Sequence, residues 1–431
     1  MNILPRTSQS LRYHSFTTSC IPKALRIAPT ASSLPKNSLC GTTSSRIHRR
    51  FHASPATATM SSPSPSPSSE TSTMLEALVH HPLRVTLHNI PIPTPKADEV
   101  LTKVHVSGSN PKDWKRPAVN PEFNGTNQGD DIAGVVEKVG SAVTQFKPGD
   151  RVAAFHRMQT PGGSYAEYAI SPEHTTFHIP STLSFEEAAA IPLAAMTAAV
   201  GLFVRLGLPE PWVAAGNPER VPKGGIVIYG AAGAVGAYAV QLAKRAGIHP
   251  IIAVAGRGIP FVEGLLGDTS SNSSNIKGQG DVVVDYRKGN ESVVEGIRKA
   301  VPQGEKLEYA FDAVSEKAKS SAENICKVLA PDGHLTLVLP LKDDPSIPKS
   351  VHTTLTMVGS VHGKDKDFGY AWYRLFELGL KDGWFKPHPH EVIRGGLKRV
   401  EQGLRNLKEG KASATKYVFR IAETEGLGSK L

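Results

Sequence analysis

Apolar and polar residues alternate from Met74 onward in short β-branched runs, LEALVHHPLRVTLHNIPIP, EVLTKVHVSGSNPKDW and IAGVVEKVGSAVTQFKPGDRVAAF. Alternation is the period of strands buried on one face. Gly140, Pro148-Gly149-Asp150 and Pro161-Gly162-Gly163 punctuate these runs as turns, so the pattern predicts a small β-barrel-like domain. At Ser184 the period changes. Ser184 as N-cap and Glu187 three residues on form a capping box, which predicts a helix running on through AAAIPLAAMTAAVGLFVRLGL. Strand and helix patterns then alternate, with strands predicted at 226 to 229, 250 to 254, 281 to 285, 308 to 312 and 334 to 339. That succession predicts a parallel, doubly wound α/β sheet. The stretch 264 to 280, GLLGDTSSNSSNIKGQG, reads as a polar inserted loop. Helices near 366 to 380 and 391 to 408 and a closing strand at Lys416 to Ile421 return the chain to the first domain. No internal repeat is evident.

Within the doubly wound part, IVIYGAAGAVGAYAVQLAKRAG at 226 to 247 is strand, glycine turn and amphipathic helix in succession. Gly230 and Gly233 allow a tight turn and close approach of a pyrophosphate to the backbone. Gly236 allows helix and strand to pack closely, and the free N–H groups of the helix then face the phosphates. This predicts a dinucleotide site. A site for NAD usually carries an acid about 20 residues after the glycines, for the ribose 2′-OH. Here the next strand ends in Ala255, Gly256 and Arg257, a cation with no carboxylate, which favours NADPH.

Charge alters the picture less than its total suggests. The formal net charge is +10, but eight Lys/Arg against a single acid, Glu70, put +7 of it in residues 1 to 73. The rest of the chain has no basic cluster that would mark a nucleic-acid partner. An Arg- and Ser-rich, acid-poor N-terminus has the composition of a mitochondrial transit peptide. Arg49-Arg50-Phe51-His52-Ala53-Ser54 resembles a two-step matrix-processing pattern, with cuts after Arg50 and Ala58. The competing reading is a disordered basic tail, with Met60 or Met74 starting a cytosolic form. The expected organisation is a transit peptide at 1–58, a disordered linker at 59–73, catalytic segments at 74–200 and 346–431, and a nucleotide-binding domain at 201–345. No apolar run reaches the roughly 20 residues of a membrane span. Cys20 and Cys40 fall in the transit segment, leaving Cys326 as a buried structural thiol; a disulfide framework or a Cys-rich zinc site is excluded from the body.

The motifs SGSNPKDW at 107 to 114, GDDIAGVVEKVG at 129 to 140, FKPGDRV at 146 to 152, GGSYAEYAI at 162 to 170, the glycine turn, DVVVDYR at 281 to 287 and GKASATKYVFRI at 410 to 421 follow one another along the body. In this set and order the chain resembles the medium-chain dehydrogenase/reductase superfamily, in its zinc-free quinone oxidoreductase branch, from about Met74 to Ile421. TAAVGLFVRLGLPEPW at 197 to 212 resembles fungal members that act as stand-alone enoyl reductases in polyketide pathways. The resemblance implies a GroES-like β-barrel catalytic domain joined to a Rossmann domain, a small-molecule substrate, and a homodimer, common in the family. It implies that Asn110 lines the cleft, that Thr197 lies near nicotinamide or substrate, and that Tyr286 reaches with Arg257 toward the adenosine 2′-phosphate. Ala231, Ala234, Val235 and Leu339 join the three glycines as expected cofactor contacts. Asp113 and Trp114 are expected to be architectural.

Departures from zinc-dependent relatives narrow the chemistry. Those relatives have Cys at Asn110, a His-Glu pair at Asp130-Asp131, and a four-cysteine lobe missing here. His80, His81, His388 and His390 are read as solvated residues near prolines rather than as ligands. No zinc is therefore expected, and hydride from NADPH would go to an already electron-poor carbon, in an α,β-unsaturated carbonyl or a quinone. Asn110 would donate to the oxygen where charge collects; the alternative is that it closes a turn through its own backbone. Two other readings stay open. An enoyl-thioester reductase of mitochondrial type would need a catalytic Tyr that 111 to 134 lack; a non-catalytic NADPH-binding protein of crystallin or membrane-trafficking type would share the same fold.

Overall fold

The structure, a computed structural model, describes residues 72–267, 280–341 and 344–427. The expected transit peptide and nearly all of the linker, like most of the polar loop at 264–280, lie outside the described residues.

Alternation produces antiparallel strands as predicted. β1 (Thr73–His80) and β2 (Arg84–Pro91) form a hairpin. A seven-stranded sheet takes β3 (Glu99–Gly108), β4 (Asp131–Val139), β5 (Arg151–Phe155), β6 (Tyr168–Pro172) and β7 (Thr176–His178). β3 lies near its middle, pairing with β4 and β6. Between β3 and β4 the chain detours through helix α1 (Lys112–Val119), which starts directly after Pro111.

The capping box at Ser184 forms, with the Glu187 N–H donating to Ser184 Oγ at 3.2 Å. The single long helix predicted after it does not. Helix α2 (Phe185–Ala189) stops, α3 (Pro192–Ala199) starts anew, and a π-helical stretch follows at Val200–Arg205. Pro192 explains the break, because it offers no N–H to a preceding turn and suits the first position of a new helix. Every residue of α3 is buried. One apolar cluster runs from Val106, Ala133 and Phe155 of the antiparallel sheet through α3 to Tyr238, Trp372 and Phe376, so the two halves share a core.

After α4 (Pro211–Gly216) comes the parallel sheet, built from β8 (Ile226–Tyr229), β9 (Ile251–Ala255), β10 (Val282–Asp285), β11 (Tyr309–Asp312), β12 (His334–Leu337) and β13 (His352–Leu355). Helices α5 (Ala234–Arg245), α6 (Ile259–Gly267), α7 (Asn290–Ala300) and α8 (Ser321–Cys326) connect the first five strands. The spatial order β10-β9-β8-β11-β12-β13 is doubly wound, with its direction reversing between β8 and β11. β13 went unpredicted and lies beyond residue 345, where the sequence reading ended this domain. Its residues HTTL carry too few apolar positions to register as a core strand.

Helix α9 (Lys366–Asp382) matches expectation. The helix predicted at 391 to 408 is shorter, with strand β14 (His390–Val392) first and α10 (Val400–Lys408) after it. Gly395 and Gly396 separate them at φ +102 and +60, a backbone no helix continues through. β15 (Lys416–Arg420) then pairs with β3 and returns the chain to the antiparallel sheet.

Candidate active site

The glycine turn has the shape its spacing predicts. Gly230 leaves β8 at φ +81, and a Cβ on Gly236 would sit 2.3 Å from Gly230 O and 2.8 Å from Ala231 Cα, so helix and turn touch through bare backbone. Ala231 is buried, with its N–H on Val254 O at 3.0 Å. No side chain caps α5 at Gly233, so the N–H groups at its start, on Ala234, Val235 and Gly236, are left for a ligand. The turn lies at the carboxyl end of β8, beside the reversal in strand order, and Leu339 follows the carboxyl end of β12. Such a crevice is where doubly wound sheets bind nucleotides.

At the ends of β9 and β10 Tyr286 comes against Gly256, the residue before Arg257. The Tyr286 ring lies against Gly256, where a Cβ would fall 2.4 Å from its Cζ, and the residue is 46% exposed. Arg257 Nη2 donates to Gly410 O at 2.9 Å, and Gly258 packs between the methyl groups of Ala232 and Ala414. The segment before β15 thus covers the glycine turn. Asp285, the one carboxylate at the end of β10, is committed to Arg287 at 2.7 Å.

Asn110 and Thr197 hang from one buried carboxylate. Asp131 Oδ2 accepts from Asn110 Nδ2 at 2.7 Å and from Lys416 Nζ at 2.6 Å, and Lys416 also donates to Asn110 Oδ1 at 3.0 Å. Asp131 Oδ1 accepts the Leu193 N–H at 2.7 Å, capping α3 one turn before Thr197, whose hydroxyl donates to Leu193 O at 2.7 Å. The Asn110 side chain takes no part in closing the turn there. The backbone C=O accepts from the Asp113 N–H, and the backbone N–H donates to Asp113 Oδ2, which leaves the amide side chain to reach Asp131 and Lys416.

Asp113 is architectural, as expected. Burial pushes its carboxyl up, against Lys112 and the Tyr165 hydroxyl, which donates to it at 2.6 Å. Asp130 goes the other way. Burial alone would raise it, but Lys112 and His156, the latter at 2.8 Å, hold its carboxyl well below the usual carboxylate range. Trp114 packs against the antiparallel core beneath the Lys408 ammonium.

His388 corrects the sequence reading. It is 1% exposed rather than solvated, wedged near Tyr238 and Phe261, and burial lowers its imidazole to about 3, so it stays neutral. Two neighbouring prolines resemble a surface loop in sequence, but the His388 N–H donates to Tyr238 Oη, which anchors the loop inside. Cys326 is half-buried, its thiol pushed up to about 11 by burial. Among the described residues no three His, Cys, Asp or Glu are placed to hold a metal ion, and no helix is long and apolar enough to cross a membrane.

Comparison with known proteins agrees with this geometry. The family profile of the alcohol dehydrogenase GroES-like domain matches residues 96–181, the span of β3 to β7. A trans-enoyl reductase of Gibberella fujikuroi is 46% identical over 325 residues, covering 75% of this chain and 92% of that one. The chain belongs to the medium-chain dehydrogenase/reductase superfamily. A chloroplastic quinone-oxidoreductase homolog of Spinacia oleracea is 37% identical over 234 residues, covering 52% of this chain and 62% of the relative. An alcohol dehydrogenase superfamily protein from Novosphingobium aromaticivorans shares the fold, with TM-score 0.63 at 20% identity over 81% of this chain and 99% of that one.

As a superfamily member the chain is an oxidoreductase with a nicotinamide cofactor, and the bare-backbone cradle at Gly230 and Gly236 fits one. The structure draws the expected residues into two groups, Gly230 to Gly236 with Arg257, Tyr286 and Leu339 around the carboxyl edge of the parallel sheet, and Asn110 with Thr197 around Asp131. The sequence pattern marks Lys416 only as the start of the closing strand and gives no place for it in the site. Its signal was present: KYVF opens with a lysine and continues in three apolar residues, the run of a strand buried on both faces, and a lysine buried there requires a carboxylate partner.

Proposed function

We propose that the chain is an NADPH-dependent, zinc-independent reductase of α,β-unsaturated carbonyl groups, enoyl thioesters among them, and of quinones. The observation that carries this reading is the occupant of the position where zinc-dependent members hold metal. An amide and a carboxylate stand there, already bridged by the Lys416 ammonium, so a cation is in place and the thiolate and imidazole donors of a tetrahedral zinc site are missing. Without a Lewis acid to polarise a simple carbonyl, a conjugated acceptor is the one most compatible with the site. The enoyl and quinone relatives support the same acceptor classes.

When bound, the nicotinamide supplies the hydride. Gly230, Gly233 and the N–H groups of Ala234, Val235 and Gly236 would hold its pyrophosphate, beside Ala231 and Leu339, and Tyr286 and Arg257 its adenosine end. Asn110 would donate its second amide hydrogen to the acceptor oxygen, where negative charge collects. Thr197, its hydroxyl hydrogen committed to Leu193 O, presents only lone pairs and suits an N–H group.

The test is NADPH oxidation by the full chain against enones, enals, enoyl thioesters, quinones, saturated aldehydes and alcohols. Conjugated acceptors are expected to turn over, with chelators having no effect. Background rates with all of them, leaving a binding protein only, or turnover that depends on one zinc per chain, overturn the proposal.

For the cofactor, Arg257→Ala is expected to raise the NADPH Michaelis constant roughly tenfold to hundredfold, the scale of a charge-assisted hydrogen bond. NADH should be nearly unaffected. Because Arg257 also holds Gly410 O, a merely loosened loop would weaken both cofactors equally, and that result excludes Arg257 as the discriminator.

A further inference from the structure

We propose that Lys416 and Asp131 are positioning residues that lock the Asn110 amide in the one orientation able to donate toward substrate; the inference rests on the reading of Asn110 as the donor. An asparagine amide is nearly symmetric in shape, and a half-turn about its last bond exchanges a donor for an acceptor. Left alone, Asn110 would present its oxygen to a developing negative charge in part of the population, and that orientation repels charge. Two neighbours remove the choice. An ammonium can only donate and a carboxylate can only accept. Lys416 Nζ lies 3.0 Å from Oδ1, and Asp131 Oδ2 lies 2.7 Å from Nδ2. Turning the amide over would set N–H against N–H and oxygen against carboxylate.

The lock is closed on its third side as well. Lys416 and Asp131 bond each other at 2.6 Å, so neither is free to follow the amide. Their side chains are 2% and 0% exposed, which keeps water from substituting for either. Around them Asp131 Oδ1 is held by the Leu193 N–H, and Asn110 is fixed at its backbone by Asp113. Of the two amide hydrogens one is spent on Asp131, and the second has no acceptor among the described residues. The pair carries no net charge, so what it adds at the acceptor oxygen is the field of a dipole and not that of a free charge.

The inference is tested on the full chain labelled with 15N-asparagine. The Asn110 side-chain amide, identified by its loss in Asn110→Ala, is expected to give two well-separated signals that exchange slowly with solvent. In Lys416→Met the two should broaden and exchange faster. Because that variant leaves Asp131 buried without its cation and can fail to fold, the neutral pair Asp131→Asn with Lys416→Met is made alongside it, and Lys416→Arg, still a pure donor, should restore the wild-type signals. Turnover supplies the second readout. Asn110→Ala should lower kcat by on the order of 10²-fold, the scale of one lost oxyanion donor. The neutral pair should lower it by at least about tenfold with the NADPH Michaelis constant unchanged, and adding Asn110→Ala to it should bring the total loss only to the roughly 10²-fold of Asn110→Ala alone, the non-additivity of residues acting as one unit. Additive losses, or amide signals unchanged in the neutral pair, overturn the proposal. If no conjugated acceptor turns over, the functional reading fails by itself, while the amide signals still decide whether Lys416 and Asp131 orient Asn110.

Discussion

Asp131→Ala is expected to destabilise the protein by about 3–5 kcal/mol, the range for removing one partner of a buried ion pair. Three groups lose their acceptor together. The Lys416 ammonium, 2% exposed, keeps only the Asn110 oxygen and becomes a buried charge without a counter-ion. The Leu193 N–H at the start of α3 loses the oxygen 2.7 Å away, in a helix with no other side-chain cap. Asn110 Nδ2 loses its partner as well. Since α3 lies in the core shared by both halves, the damage does not stay local. Urea unfolding measures it as a shift in midpoint. Asp131→Ala together with Lys416→Met should recover part of the loss, because the stranded charge goes with it. A loss below about 1 kcal/mol for Asp131→Ala would show that the pair is screened by water after all.

The second large effect is expected at Gly236. Its Cβ would approach Gly230 O to 2.3 Å and Ala231 Cα to 2.8 Å, and both are backbone atoms that cannot swing aside. Gly236→Ala therefore forces α5 away from the end of β8, with an overpacking cost of typically 1–3 kcal/mol. It also moves the helix N–H groups out of line with a pyrophosphate. NADPH affinity, read by calorimetric titration, should fall at least tenfold, the result of about 1.4 kcal/mol of lost binding. Gly233→Ala is the control for stability. Its Cβ meets nothing closer than Gly230 O at 3.4 Å and its backbone is ordinary, so the fold should tolerate it. Affinity of Gly236→Ala within about threefold of wild type would mean that the turn does not carry the phosphates as its geometry indicates.

Where pattern and structure agree, the signal is local. The alternation of β3 to β5, the strands of the parallel sheet and the glycine turn each rest on residues that are neighbours in the chain, and periodicity reports which face of a strand or helix is buried whatever it packs against. Where they differ, a distant partner decides. Pro192 ends one helix and starts the next, but the group that meets the exposed Leu193 N–H of the new helix is Asp131, far away in the chain. β13 became a strand because β12 had an open edge beside it. His388 was buried by a hydrogen bond to Tyr238, 150 residues away.

The candidate site divides along the same line. By itself the sequence determined the class of the molecule and half of its candidate site: a glycine turn on a parallel sheet, a cation at the end of the second strand, and a single body cysteine, too few for a Cys-rich zinc site. These follow from backbone freedom at glycine, from charge and from donor chemistry, which belong to each residue type wherever it lies. Only the tertiary structure decided what Asn110 faces. Lys416 stands 306 residues from Asn110 and 285 from Asp131 along the chain, and β15 brings it to them by pairing with β3. The direction in which a buried amide can donate depends on which groups surround it in space, and no spacing within the chain encodes that.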